Sequence, residues 1–319
     1  MTDKRFRKTL LPRALCIGVG CVFVFSAIAK YVAIDRFDLY LFEHRIGSYF
    51  LVSTFSRLLI ALECLLGIFL IGNIRTRATL RLCALLLLGF TVYLLLQPSM
   101  FELAEDDCHC MGDWVHLSRK QSIAKNILLL LMLFPARKEV SVRKSWHTWA
   151  EPALLLGLTA AFFCINPPDY LYTRLYAASG KADTACYTQA LKQNGCLADF
   201  SEGRKFICFY SPKCAHCRNA AVKMDLMARF HQWDAENLRC VFLKSGQGEA
   251  EIQDFFEKNH LKPLAYTVFS ADTFLQTTHG KLPCLFFSDN GRIVRSINHV
   301  QMDEKAMDDF IKHATHEKP

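Results

Sequence analysis

Three long apolar runs, residues 10–34, 49–72 and 79–98, constrain this chain more than any other feature. Each has the roughly 20 residues needed to cross a hydrocarbon layer. Two further runs, residues 123–136 and 149–166, have shorter apolar cores and must recruit flanking residues such as Leu117 or Trp146 to span. Nearly all the long apolar runs of this 319-residue, 52% hydrophobic chain fall before residue 166, and the remainder reads as an ordinary soluble domain. The expected fold is therefore a membrane α-helical bundle followed by an α/β domain.

The formal net charge of +8 does not form one basic face, which argues against nucleic-acid binding. The cations cluster between apolar runs instead. The N-terminus carries Lys4, Arg5, Arg7, Lys8 and Arg13; Arg75 and Arg77 come between the second and third runs, with Arg81 at the start of the third; Arg137, Lys138, Arg143 and Lys144 follow the fourth. The other two connections are acidic or balanced, with Asp35, Asp38 and Glu43 in one and Glu102, Glu105, Asp106, Asp107 and Asp113 in the other. Basic loops stay in the cytoplasm, so the N-terminus is expected inside and the chain outside after five crossings. This places the C-terminal domain in the periplasm, or an equivalent oxidising space, beyond a bacterial cytoplasmic (inner) membrane. The small residues at Ala27-Ile-Ala29 resemble a leader cleavage site, but apolar residues continue to Ile34, and an uncleaved first helix is expected.

Residues 209–218 read Phe-Tyr-Ser-Pro-Lys-Cys-Ala-His-Cys-Arg, with Cys214 and Cys217 at C-x-x-C spacing between an apolar run and an amphipathic segment. A strand that delivers a C-x-x-C to a helix N-terminus sets the first sulfur where unpaired N–H groups and the helix dipole stabilise negative charge. His216, between the cysteines, should act in the same sense. A four-cysteine zinc site wants a second close pair of this kind, and the sequence has none, so no metal is assigned.

A second pair, Cys108 and Cys110, lies in the third connection within Asp-Asp-Cys-His-Cys-Met-Gly-Asp-Trp, on the same expected side as the C-x-x-C. A C-x-C disulfide closes a very small ring and should be strained and easily reduced, which suits an exchangeable pair. A metal site with His109 and His116, or two unrelated thiols, are the alternatives. Arg57 and Glu63 are ionisable groups within the second span, to be read either as a proton or quinone-headgroup contact or as a structural pairing with Lys30 or Lys125. The span cysteines Cys16, Cys21, Cys64, Cys83 and Cys164 read as small buried hydrophobes. Cys186 and Cys196 bracket a short helical stretch in the connector that follows Pro167-Pro168. They would serve as a structural disulfide with each other or as resolving thiols.

Ser26-Ala-Ile-Ala-Lys30, Glu63-Cys-Leu-Leu-Gly67 and Cys108-His-Cys-Met-Gly-Asp113 before Lys125-Asn126 resemble the DoxX/MauE superfamily, on its methylamine-utilisation MauE side. The resemblance spans residues 8–138 and implies a four-helix membrane bundle tied to disulfide handling in exported proteins. Met111 stands where that family's C-x-C motif carries an aromatic residue. The fifth segment lies outside the family pattern.

From residue 200 the pattern reads strand 206–210, helix 212–230, strand 238–243, helix 249–259, then strands 282–287 and 293–297 about Asp289-Asn-Gly291, and helix 302–314. With the C-x-x-C and Pro283 in this order, residues 200–316 resemble the thioredoxin fold, towards TlpA-like or DsbA-like members. The resemblance implies that Cys214 is the exposed nucleophile, Cys217 the buried resolving thiol, and Pro283 a cis-proline facing them. Cys284, beside that proline, reads either as strand filler or as a neighbour of the disulfide.

The domain organisation expected is a transmembrane domain at 1–148, a fifth helix and extracytoplasmic linker at 149–199, and a thioredoxin-like domain at 200–319. The expected function is a membrane-anchored thiol–disulfide oxidoreductase. Electrons would pass between exported-protein thiols, Cys214/Cys217, Cys108/Cys110 and a membrane carrier. No cofactor is assigned from residues; a quinone is the carrier suggested by analogy with vitamin K epoxide reductase-like proteins. The alternatives are an accessory protein that positions a thioredoxin domain for one partner membrane protein, and a metal-handling protein.

Overall fold

The structure is a computed structural model that describes residues 2–45, 47–74, 76–100, 115, 117–139, 150–175, 183–246 and 248–312. The chain divides into two compact units, the second beginning after Pro167 and also taking in residues 48–50.

The first unit is helical: α1 (Thr2–Val32), α2 (Ile34–Glu43), α3 (Tyr49–Gly72), α4 (Thr76–Met100), α5 (Arg119–Glu139) and α6 (Ala150–Ile165). Among the described residues, the stretches Leu11–Val32, Tyr49–Gly72 and Arg77–Leu96 are each long and apolar enough to cross a membrane. The fourth and fifth expected spans, α5 and α6, do not pass that test as single helices. The reasons are the basic residues at both ends of α5 and the 16-residue length of α6. The acidic connection after the first span is not a loop but helix α2. Its Phe37, Leu39, Leu41 and Phe42 are buried, and Asp38 is buried with them. The carboxylates made this stretch read as solvated.

Helices α1 and α3 cross at two glycines. A Cβ on Gly20 would lie 2.8 Å from the Gly67 carbonyl oxygen, and one on Gly67 would lie 2.8 Å from the Gly20 carbonyl oxygen. Small residues at such a crossing let backbones approach where lipid supplies no hydrophobic drive. Cys16, Phe23, Leu66, Leu87 and Leu129 pack the interior beside this crossing. Cys16, Cys64 and Cys83 are buried as expected, whereas Cys21 and Cys164 lie on the outer surface of the helices.

The second unit contains α7 (Asp169–Leu175), α8 (Thr184–Gln193), α9 (Leu197–Ser201), β1 (Arg204–Tyr210), α10 (Ala215–His231), β2 (Leu238–Leu243) and α11 (Glu249–Lys258). It continues with β3 (Tyr266–Phe269), α12 (Ala271–Thr278), β4 (Cys284–Asp289), β5 (Arg292–Asn298), a 3-10 turn His299–Gln301 and α13 (Glu304–Lys312). The sheet order is β3-β2-β1-β4-β5. Strands β1, β2 and β3 run parallel, and β4 and β5 are antiparallel additions. The β4–β5 turn holds Asn290 at φ 48° and Gly291 at φ 80°, the left-handed pair that a two-residue hairpin demands.

Side chains alternate across β1. Ile207 and Phe209 face a core shared with Phe269, Phe274 and Phe286. Cys208 and Tyr210 face Ala221 and Met224 of α10 and the α11 residues Phe255 and Phe256. The first of these cores corrects the reading of residues up to 199 as a connector. Tyr187, Ala190 and Leu191 of α8 and Phe200 of α9 are buried in it, so this segment is part of the folded unit. Asp183 caps α8 by accepting the Cys186 N–H at 3.0 Å. Strand β3 and helix α12 also went unread, because they are short, four and eight residues long.

Candidate functional site

Strand β1 is central and runs straight into the C-x-x-C. The Cys214 N–H donates to the Ser211 carbonyl at 3.1 Å, which turns the chain so that α10 starts at Ala215 with Cys214 as its N-cap. The Cys214 sulfur takes the capping role of a side-chain oxygen and accepts the Cys217 N–H at 3.3 Å. Cys214 is half-buried, His216 exposed and Cys217 fully buried. The Cys217 sulfur accepts the Ser211 N–H at 3.4 Å. Burial pushes the Cys217 thiol well above its ordinary range, and that hydrogen bond only partly opposes the shift. One sulfur is thus accessible and held at a helix N-terminus, while its neighbour is enclosed and protonated.

The Leu282–Pro283 peptide is cis. Cys284 pairs with Phe209 in the antiparallel register, so continuing it sets Pro283 across from Tyr210, where β1 gives way to the motif. Cys284 itself shares the α8 and α12 face with Phe209 and Phe286, and its sulfur lies 3.4 Å from Ser296 Oγ. The other face of β1 meets α10, so Cys284 is strand filler. Burial raises its thiol as well. Cys208 and Cys240, in register on β1 and β2, are enclosed on the α10 face. The Cys208 thiol is pushed up to about 12 by burial.

One neighbour escaped the sequence reading. The His299 ring packs against the His216 ring with centroids 4.9 Å apart. No local pattern marks His299; the turn after β5 brings it there.

Cys186 and Cys196 do not pair. Both are free, Cys186 in the first turn of α8 and Cys196 just beyond its C-terminal cap. The Cys186 sulfur lies 3.8 Å from the Thr273 carbonyl and accepts Thr277 Oγ1 at 3.6 Å. The Cys196 sulfur points back to the Leu191 carbonyl at 3.8 Å. All twelve described cysteines are free.

In the helical unit the two charges of the second span take separate partners. Glu63 Oε2 accepts Lys30 Nζ at 2.6 Å, and the same ammonium donates to Ser26 Oγ at 3.1 Å. Arg57 donates to Asp38 Oδ2 at 2.9 Å, to the Ser53 carbonyl at 2.7 Å and to the Asn166 carbonyl at 3.0 Å. The Ser56 hydroxyl also donates to Asp38. Arg57 therefore ties α3 to α2 and to the end of α6. Cys108 and Cys110 lie outside the described residues.

A dithiol at the start of the helix after the central strand, with a cis-proline leading into the antiparallel pair, defines a thioredoxin-fold domain. In this chain it is joined to a membrane helical domain. Residues 8–136 match the family described as methylamine utilisation protein MauE. The chain thus joins a helical domain similar to the MauE family to a domain of thioredoxin fold. The protein TlpB of Flavobacterium psychrophilum is 24% identical over 309 residues, covering 80% of this chain and 82% of that protein. The solved structure of StoA from Bacillus subtilis aligns with 34% of this chain and 81% of its own, at 17% identity and a TM-score of 0.28.

Proposed function

We propose that the chain is a membrane-anchored thiol–disulfide oxidoreductase acting on exported proteins. The observation that carries this reading is the asymmetry of the dithiol, a half-exposed Cys214 at a helix N-cap with the enclosed Cys217 behind it. Cys214 attacks or leaves a substrate sulfur as thiolate. Cys217 then displaces it from the mixed disulfide, passing its proton out as it does so. His216 and His299 border the accessible side, and Pro283 lies at the neighbouring strand end.

The second half of the proposal is a relay. Cys108/Cys110 would exchange with Cys214/Cys217, and a membrane quinone would take up or supply the electron pair. In the oxidising direction a dithiol gives a disulfide, two electrons and two protons, and the quinone becomes a quinol. Tethering supports the exchange by setting the effective concentration of one dithiol at the other to roughly millimolar. The charge pattern of the loops supports a cytoplasmic N-terminus and a periplasmic thioredoxin-fold domain. That TlpB is similar along most of both chains supports treating the two halves as one functional unit.

The test is turnover by the full chain in vesicles on a reduced and on an oxidised model substrate. Activity lost in Cys214→Ser is expected. Equal activity in wild type and Cys214→Ser would overturn the reading.

A further inference from the structure

The membrane domain buries more charge than a structural pair needs. Lys30 of α1 and Glu63 of α3 meet at 2.6 Å with side chains 2% and 7% exposed. The rings of Phe90 and Phe37 lie 5.1 Å and 5.8 Å from the same ammonium and shield it further. Beside the pair is a cavity of about 20 Å³, lined on its polar side by Ser26, Lys30, Glu63, Lys125 and Asn126. That volume holds one water, and five polar side chains are more than enough to bind it. Among the described residues Lys125 forms no ion pair, so the cavity wall carries two ammonium groups against one carboxylate. Asn126 Nδ2 donates to Thr91 Oγ1 at 3.3 Å, extending the polar track to α4.

We propose that this cavity is a water-filled proton-exchange site of the membrane domain, with Glu63 as the group that takes up and releases the proton. Ionisable groups that face a bundle interior at such cost mark proton pathways. The geometry supplies the required parts: a carboxylate, a place for water against it, and two cations that set how tightly the proton is held. The charged groups facing Glu63 are Lys30 from α1 and Lys125 from α5; the thiols of Cys64 and Cys83 also lie within its electrostatic reach. Among the described residues no ionisable side chain of α2 or α4 lines the cavity, to which α4 contributes Leu86, Leu87 and Phe90. Lys125 stands six residues into α5, about 9 Å from the start of that helix, and Cys108 and Cys110 precede that start in sequence. Oxidation of a dithiol releases two protons with its two electrons, and this site offers one of them an internal acceptor. Only that last link rests on the relay proposed above; the protonation itself does not.

The experiment is infrared spectroscopy of the full chain in vesicles, following the protonated-carboxyl band as pH is lowered in ordinary and heavy water. Glu63→Gln is expected to remove a band that exchanges with solvent. If that variant does not assemble, Lys30→Met combined with Glu63→Gln removes both charges and serves the same assignment. Lys125→Met leaves the ion pair intact and, by taking a cation out of the cavity wall, is expected to bring the band in at a higher pH. A spectrum in which no exchangeable band is lost with Glu63, or one indifferent to Lys125→Met, would overturn the proposal. Because the band is read without thiol turnover, a failed relay and a failed proton site give different results.

Discussion

The backbone N–H of Cys217 points at the sulfur of Cys214, 3.3 Å away, so Cys217 helps hold the Cys214 sulfur in place before any disulfide forms. The two thiols should therefore react very differently. With short pulses of an alkylating reagent on the reduced, folded chain, Cys214 is expected to be the first thioredoxin-domain cysteine modified. Cys217, Cys208, Cys240 and Cys284 should stay unmodified until the domain unfolds, because all four are enclosed. Mass mapping of labelled peptides checks this, and early labelling of Cys217 would contradict the geometry.

The same burial predicts how stability depends on pH. Burial raises the thiols of Cys217, Cys208, Cys240 and Cys284 in the folded domain. Unfolded, they ionise near the ordinary value of about 8.5. The folded state then holds protons that the unfolded state gives up, so stability is intact below about pH 8.5 and falls as pH rises further. Each thiol contributes a slope of about 1.4 kcal/mol per pH unit there. Denaturant melts of the reduced thioredoxin-fold unit from pH 7 upward should show this loss, smaller by one group's share in Cys240→Ala after correction for its cavity.

The boundary of that unit is a third expectation. A soluble segment beginning at residue 183 keeps Tyr187 and Leu191 in the core they share with Phe209 and Phe286, whereas one beginning at residue 200 strips them away. Each large apolar side chain is worth about 1.5–3 kcal/mol when buried. The shorter segment should be less stable by several kcal/mol in urea melts, and equal midpoints would show that α8 is dispensable.

Two substitutions probe the helical unit. Gly67→Ala sets a methyl 2.8 Å from the Gly20 carbonyl oxygen and 3.0 Å from the Val24 nitrogen, so backbone must move. Overpacking of this kind costs about 1–3 kcal/mol, read as a lower thermal midpoint in detergent. Arg57→Lys keeps the charge but cannot reach Asp38, Ser53 and Asn166 together. It should destabilise too, read by the same thermal midpoint.

Much of this architecture was legible because its signals are local. Apolar runs of bilayer length gave the three clear spans, and the alternation around β1, β2 and the Asn290-Gly291 turn gave most of the sheet. What escaped depends on partners distant in sequence. Asp38 looked like a solvated loop acid until Arg57 was seen to neutralise it inside the fold. Helix α8 looked like a linker because its apolar face is short and has meaning only against β1 and β4. The Cys186–Cys196 pairing was suggested by their spacing, but their sulfurs turn to different carbonyls, those of Thr273 and Leu191. His299 reaches His216 only through the turn after β5.

The most direct test of the relay is non-reducing peptide mapping of Cys217→Ser purified from membranes. Without its resolving thiol, Cys214 should remain joined to whatever sulfur it normally engages. The account predicts a disulfide from Cys214 to Cys108 or Cys110 alongside mixed disulfides with exported proteins. Mixed disulfides with foreign proteins alone, and none to either cysteine of the C-x-C pair, would contradict it and leave the membrane domain outside the electron path.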